Sequence, residues 1–472
     1  MQQVERWTIF ETTLNGPDSG NPFTEVELIA EFKQKNRTVP VDGFYDGNGT
    51  YKIRFMPDTK GTWTYTTKSN IDSLNNQTGT FTVTPATGNN HGPVRVHKTF
   101  HFQYEDGTPH YSFGTTCYVW NHQGDTLEEQ TLDTLKNSPF NKIRMCVFPK
   151  HYSYNRNEPE YYPFEGTLEN GWDYTRFNPA FWHHLEKRIA DLRDLNIEAD
   201  LILFHPYDRW GFKEMDAETD DRYLKYTVAR LAAYRNIWWS FANEYDLMKA
   251  KTEQDWDRFF RIVQTHDPVQ HLRGIHNCRQ FYDHNKPWVT HSSIQRPDPG
   301  QSPTWRSQYN KPAVDDECCY EGNVHQGWGN ITGQELTKRF WSGFANGGYV
   351  GHGETYLHPN DILWWSKGGV LHGTSPKRIQ FLRDIMEAGP GPIDPVNIGI
   401  VAAGIPNQYY LAYLGPHQSA VKPLKLPEDT SFKIEIIDTW EMTITSVDGT
   451  FNGTFDLEVP SKPFMALRIT KA

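Results

Sequence analysis

Polar and apolar positions alternate with period two through residues 25–32, 51–55, 62–66 and 79–83. That is the pattern of half-buried strands. Turn residues, among them Asp46-Gly47-Asn48-Gly49 and Pro57-Asp58, separate the runs. Residues 1–93 therefore read as an immunoglobulin-like β-sandwich. From residue 94 short apolar runs alternate with helical stretches instead. The runs fall at 111–116, 142–148, 199–204, 236–242, 272–276, 288–291, 312–317 and 349–352. Between them stand helix signals. Thr126 with Glu129 and Thr332 with Glu335 have capping-box spacing. Asn178 precedes Pro179 as N-cap and first helical residue, and Phe181, Leu185, Ile189 and Leu192 form an apolar stripe. A further helix spans about 220–234, and Ser375-Pro376 opens the last. Eight strands alternating with helices over residues 94–392 predict a (β/α)8 barrel. Pro390, Pro392 and Pro395 mark a boundary. Residues 393–472 return to β patterning at 409–413, 432–437 and 465–469, which predicts a second, C-terminal β-sandwich. The expected fold class is a multi-domain chain, a central (β/α)8 TIM barrel flanked by two all-β sandwiches.

Composition narrows the function classes. The 472 residues carry a net charge of −11 and no long basic run, so nucleic acid is not an expected partner. No window approaches about 18 consecutive apolar residues, so no membrane span is expected. Sixteen Trp and 24 Tyr exceed what cores alone call for; some are expected as stacking platforms for sugar rings. Five cysteines without framework spacing point to a reducing compartment. With no apolar signal region at the N-terminus, the expectation is a cytoplasmic protein, or a secreted one if a leader precedes it.

Candidate chemistry sits at the ends of the predicted barrel strands, where barrel enzymes place their sites. The apolar run 236–242 stops on Asn243-Glu244. The seventh strand stops on Asp315-Asp316-Glu317, followed by Cys318-Cys319-Tyr320-Glu321-Gly322. A strand covered on both faces cannot bury a free carboxylate, but its end can present one to a cleft. Two carboxyl groups facing one sugar are the requirement of glycoside hydrolysis. Asn243-Glu244 closing strand four and the segment 316–322 closing strand seven resemble clan A glycoside hydrolases. The N-terminal phrases 41–47 and 54–57 resemble a sandwich module found ahead of such barrels. The three-part architecture is closest to the apiosidase-like and family 5-like members.

The resemblance implies Glu244 as general acid/base, Glu317 as nucleophile and Asn243 as the holder of the sugar 2-hydroxyl. Glu321 is the rival nucleophile, and Glu354 is a third carboxylate after strand eight. Arg144 on strand two is expected beside the nucleophile, keeping it ionised, while the second carboxylate and desolvation raise Glu244. His205, Asp208, His276 and His291 end strands three, five and six and are candidate sugar ligands. Trp120, Trp210, Trp328, Tyr356, Trp364 and Trp365 lie in predicted loops and are candidate platforms. The clan often has a Tyr on strand six against the nucleophile; here His291-Ser292 holds that place. The expected activity is a retaining, exo-acting hydrolysis of short β-linked glycosides, with a carbohydrate as partner, no cofactor and no metal; homo-oligomerisation is left open. Two rival readings are a non-catalytic carbohydrate-binding protein and a metal-dependent barrel built on His205, His276 and His291.

Overall fold

The computed structural model describes residues 2–357 and 363–472. The N-terminal domain has seven strands, in spatial order Gln2–Glu5, Thr78–Thr84, Gly61–Ser69, Leu28–Gln34, Arg37–Tyr45, Thr50–Phe55 and Phe10–Asn15. They form two layers because Arg37–Tyr45 belongs to both. Its residues up to Asp42 pair with Leu28–Gln34, and Gly43–Tyr45 pair with Thr50–Phe55. A Cβ at Gly43 would meet the Leu28 side chain at 2.6 Å, so only glycine lets the strand cross there. Phe10, Phe32, Phe55, Trp63 and Phe81 fill the space between the layers.

The central domain is an eight-stranded parallel barrel. Its strands, in sequence and around the barrel, are Phe113–Thr116, Lys142–Cys146, Glu198–Phe204, Ile237–Ala242, Leu272–Gly274, Ser292–Ile294, Ala313–Asp315 and Tyr349–His352. A parallel bridge between His276 and Ser293 closes the ring between strands five and six. Asn178 caps the helix Pro179–Asp194 through its side chain, and Thr332 caps Gly333–Phe344. The Thr126–Glu129 box does not form. Helix Asp125–Lys136 starts two residues earlier, after Gly124, and the Glu128 carboxylate accepts from the Gln123 and Gly124 N–H groups instead.

Strand six also differs from expectation. Residues 288–291 look strand-like because Trp288 and Val289 are apolar. They form a turn and a crossing, with Val289 N–H donating to Lys286 and Thr290 N–H to Arg273. Pairing to strand seven begins only at Ser292. His291 therefore precedes the strand and lies at the barrel floor.

The C-terminal domain is a six-stranded sheet, Asp394–Asn397, Val401–Ile405, Tyr409–Tyr413, Met465–Lys471, Phe432–Asp438 and Thr443–Phe451. It is faced by the pair Val421–Lys425 and Thr454–Glu458 over Tyr410, Leu424, Phe432, Leu457 and Leu467.

A buried ion network joins the N-terminal sandwich to the barrel helices. Arg54 reaches Glu186 at 2.7 Å, Arg230 binds Glu186 at 2.5 Å and Asp46 at 2.7 Å, and Lys52 holds Asp46 at 2.9 Å. No helix among the described residues is long and apolar enough to cross a membrane.

Candidate active site

Strand four delivers Asn243 and Glu244 to the C-terminal mouth of the barrel. The backbone turns sharply at Glu244, which takes left-handed torsions of φ 53° and ψ 56°. A non-glycine residue adopts these only when its surroundings enforce them. Here Asn243 N–H is tied to Phe204 and Tyr245 N–H to the His276 carbonyl, each at 3.0 Å. Strand seven delivers Glu317, whose N–H reaches the Ile294 carbonyl on strand six at 3.3 Å. Both carboxylates line one cavity of about 540 Å³.

Donors surround Glu317. The Tyr118 hydroxyl donates to its Oε1. Arg144 Nη1 does so at 3.2 Å and Asn243 Nδ2 at 3.4 Å. His276 Nε2 lies 3.8 Å from the same oxygen. His276 Nδ1 faces two donors, Asn243 Nδ2 at 3.2 Å and Glu244 N–H at 3.4 Å. It must therefore accept, which leaves the ring proton on Nε2, toward Glu317. Burial pushes this imidazole well below its ordinary value and keeps it neutral. With its amide turned to donate, Gln295 meets Glu317 Oε2 at 3.2 Å.

Burial pushes the Glu317 carboxyl up to about 8, opposed by the nearby Tyr320 hydroxyl. That desolvation works against the depression expected from Arg144. The hydrogen-bond geometry favours the anion: a protonated carboxyl needs an acceptor, and these neighbours present donors.

Glu244 has different company. It accepts from the Tyr207 hydroxyl and from the Cys278 thiol, which burial and Glu244 push up to about 11. Among the described residues Glu244 makes no ion pair. Beneath the pair, Lys142 binds Asp200 at 2.9 Å and Asp316 at 2.7 Å inside the barrel, and Arg144 Nε approaches Asp200 at 3.8 Å.

The structure thus brings Glu244, Glu317, Asn243, Arg144 and His276 together, with Trp328 and Trp365 on the cavity wall. Other expected site residues lie elsewhere. His205 is buried, and its Nε2 sits 3.2 Å from the Phe148 carbonyl. Asp208 accepts the N–H groups of Trp210 and Lys213 and so organises its own turn. His291 packs against Phe102 and Trp238 at the floor. Trp120 is a buried core residue. Trp210 packs on Phe212 and donates to Glu158. Trp364 is buried and donates to Thr115. Tyr356 donates to Glu321 at 3.2 Å, away from the cavity.

Glu321 is a helix anchor rather than a nucleophile. It accepts from Thr374 N–H, Thr374 Oγ1 and Ser375 N–H at 2.7–2.9 Å, at the start of helix Ser375–Glu387. Burial would raise it, but bonds from Ser375 and Thr374 hold it below the ordinary range. Beside it Glu354 accepts from His372 and Gly373 N–H, and burial pushes it up to about 7.

The three histidines of the metal reading do not gather. Among the described residues the converging ligand group is Asp125, Glu128 and His184, outside the cavity, and the Arg188 guanidinium already donates to both carboxylates.

Among the cavity residues that sequence reasoning missed are Tyr118, Lys150, Tyr207, Cys278 and Gln295. Tyr118 and Tyr207 follow strands one and three by two and three residues. The strand-end logic that found Glu244 reaches them once the loops' direction is known. Tyr118 and Gln295 occupy the nucleophile-contacting place for which no tyrosine is present on strand six.

Two glutamates closing strands four and seven, over one cavity at the C-terminal mouth of a (β/α)8 barrel, define a glycoside hydrolase. Residues 97–388 match the apiosidase-like catalytic domain model. The chain belongs to that family. Its flanks match two domains of unknown function, DUF5060 at residues 3–70 and DUF5605 at residues 399–470. A candidate glycoside hydrolase of known structure from Bacteroides vulgatus ATCC 8482 is 42% identical over 100% of both chains, with a TM-score of 0.95. A family 5 glycoside hydrolase from the same organism shares the fold at 15% identity and a TM-score of 0.63, covering 80% of this chain and 94% of its own. No curated protein matches the chain.

Proposed function

We propose that this enzyme is a retaining, exo-acting glycosidase for short β-linked glycosides. Glu317 is the nucleophile, Glu244 the general acid/base, and Asn243 the holder of the sugar 2-hydroxyl. The observation that carries the assignment is the asymmetry of the two carboxylates. Glu317 is ringed by donors that include the Arg144 cation, whereas Glu244 faces a phenol and a thiol. A nucleophile must be ionised when substrate binds; the acid must carry a proton that it can give and recover. In the first step Glu317 attacks the anomeric carbon while Glu244 protonates the departing oxygen. In the second, Glu244 takes a proton from water, which attacks the same carbon and frees Glu317.

Short substrates are supported by the cavity wall. Tyr152 and Tyr154 from the loop after strand two, and Trp365 from the loop after strand eight, close in on a cavity in the ~300–1,000 Å³ range of small-molecule sites. The expected loop after strand eight includes residues 358–362, which lie outside the described residues. A panel of aryl β-glycosides of hexoses, pentoses and deoxy sugars, with the product anomer followed by NMR, tests the proposal. Early release of the β-anomer is expected; release of the α-anomer overturns retention, and faster action on polymers than on disaccharides overturns the exo reading.

A further inference from the structure

Lys150 follows strand two and is almost fully buried, yet it lines the catalytic cavity. Among the described residues it makes no ion pair. Its ammonium lies 3.4 Å from the ring centroid of Tyr118, 4.3 Å from that of Tyr207 and 4.8 Å from that of Tyr152. It also donates to Asn243 Oδ1 at 3.3 Å. Three of these four contacts share one feature; the fourth, Tyr152, donates to Ser366 instead. Tyr118 is the hydroxyl donor to Glu317. Tyr207 is the hydroxyl donor to Glu244. Asn243 donates from its other end toward Glu317 and His276. The one cation thus touches the partner of each carboxylate.

The physical consequences follow from charge. A cation over a phenol face is attracted to the ring's electron density. Drawing that density toward the ammonium makes the phenol O–H a stronger donor. Holding Asn243 by its oxygen fixes the amide orientation, so that Nδ2 faces Glu317. A neutral amine would do neither to the same degree.

We infer that Lys150 is the positioning residue of this active site, its charged ammonium setting the donors of Glu317 and Glu244 at once. The inference rests on the glycosidase assignment above. Lys150 acts through Tyr118, Tyr207 and Asn243 and does not itself react.

The charge is conditional. Burial pushes the Lys150 ammonium down to about 8, with Cys146 and Glu244 opposing and Arg144 adding to the shift. The polar and titratable groups facing it are Tyr118 after strand one, Arg144 and Cys146 on strand two, and Tyr152 beyond. His205 and Tyr207 after strand three, Asn243 and Glu244 after strand four, and the buried neutral His276 after strand five complete the set. Burial pushes Tyr152, Tyr207 and the Cys146 thiol up, and His205 down, so these four stay neutral around pH 8. Lys150 is therefore charged below about pH 8 and loses its proton above it.

The test uses the full chain, an aryl glycoside the wild type cleaves, and the variants Lys150→Met and Lys150→Arg, with near-ultraviolet circular dichroism as the check on folding. Lys150→Met is expected to lower kcat by about 10–100-fold with KM within about threefold, the loss of one charge-assisted contact, and to change the alkaline limb, leaving only the part that the general acid imposes. Lys150→Arg stays charged at every working pH; any activity it retains should extend to higher pH than that of the wild type. Unchanged kcat in Lys150→Met, or the same alkaline limb in a folded variant, overturns the inference. A wild type that cleaves no glycoside overturns the glycosidase assignment, and this inference falls with it; the two failures are thus told apart.

Discussion

Arg144 Nη1 donates to Glu317 Oε1 at 3.2 Å while its Nε approaches Asp200 at 3.8 Å, so one guanidinium serves the reacting carboxylate and the charged layer beneath it. The layer is anchored by Lys142 between Asp200 and Asp316, which leaves Arg144 as the cation paired with Glu317 among the described residues.

Arg144, 3.2 Å from Glu317 Oε1, is expected to bear on the acid limb of activity. Burial raises Glu317 and the cation opposes that rise. The limb should lie above the ordinary carboxylate range, because desolvation is the larger influence. Arg144→Met removes the opposing cation and should move the limb to still higher pH, with kcat/KM at the optimum down about 10–100-fold. A pH–rate profile reads both. A limb that stays in place, or moves to lower pH, would show that Arg144 does not govern Glu317.

The two tyrosines should separate the two steps. Tyr118→Phe weakens the donor set on Glu317 and should slow formation of the covalent intermediate. Tyr207→Phe removes a partner of Glu244 and should weigh most on substrates with poor leaving groups, which depend on protonation. Kinetics on an activated aryl glycoside and on an alkyl glycoside distinguish them. Equal losses on both substrates for both variants would contradict the division.

What the sequence revealed, and what it hid, follows from how local each signal is. The place of Glu244 and Glu317 on the cavity was legible because each closes a predicted barrel strand in a segment that resembles clan A glycoside hydrolases. His276 was legible from its strand-end place alone. His291 misled because Trp288 and Val289 imitate a strand; a turn closed by Lys286 and Arg273 is invisible to apolar periodicity. His205 and Asp208 do end strand three, but each is engaged by neighbouring backbone, at Phe148 or at Trp210 and Lys213. Whether a strand-end polar group faces the cavity or its own loop depends on backbone it has yet to meet. Lys150 was hidden for a related reason: the three rings and the amide that give it a role come from four separate segments. Trp120, Trp210 and Trp364 lie in predicted loops and are candidate platforms by that position, but all three are buried core residues.

The junction between sandwich and barrel should be acid-sensitive. Burial alone would raise the Asp46 carboxyl, but His183, Arg230 and Lys52 overcome it and hold it well below the ordinary range. A carboxylate depressed in the folded state contributes stability that is complete above its unfolded value of about 3.9 and is lost as pH falls toward its folded value. Glu186, between Arg54 and Arg230, is depressed too. The melting temperature should fall below about pH 4, and Asp46→Asn should flatten that dependence. Glu186→Gln leaves two buried guanidinium groups without their shared anion and should cost about 3–5 kcal/mol at neutral pH. Differential scanning calorimetry checks both; a neutral-pH melting temperature unchanged in Glu186→Gln would mean the network holds the domains together less than its burial implies.

The division of labour between the two glutamates has a stereochemical signature. Glu317→Ala cannot form the covalent intermediate, so hydrolysis should fall by several orders of magnitude on every substrate. Glu244→Ala retains the nucleophile. An activated aryl glycoside needs little protonation of its leaving group, so the first step survives and the glycosyl-enzyme waits for a base to activate water. Azide needs no such base. Added to Glu244→Ala it should restore turnover and yield a β-glycosyl azide from a β-glycoside, because two displacements retain configuration. Added to Glu317→Ala, azide enters the space of the missing carboxylate and attacks the substrate directly, in one displacement. The product is then the α-glycosyl azide. NMR of the two products decides the assignment. Azides with the configurations exchanged between the variants would make Glu244 the nucleophile, and full activity in both variants would remove the carboxylate pair from the chemistry altogether.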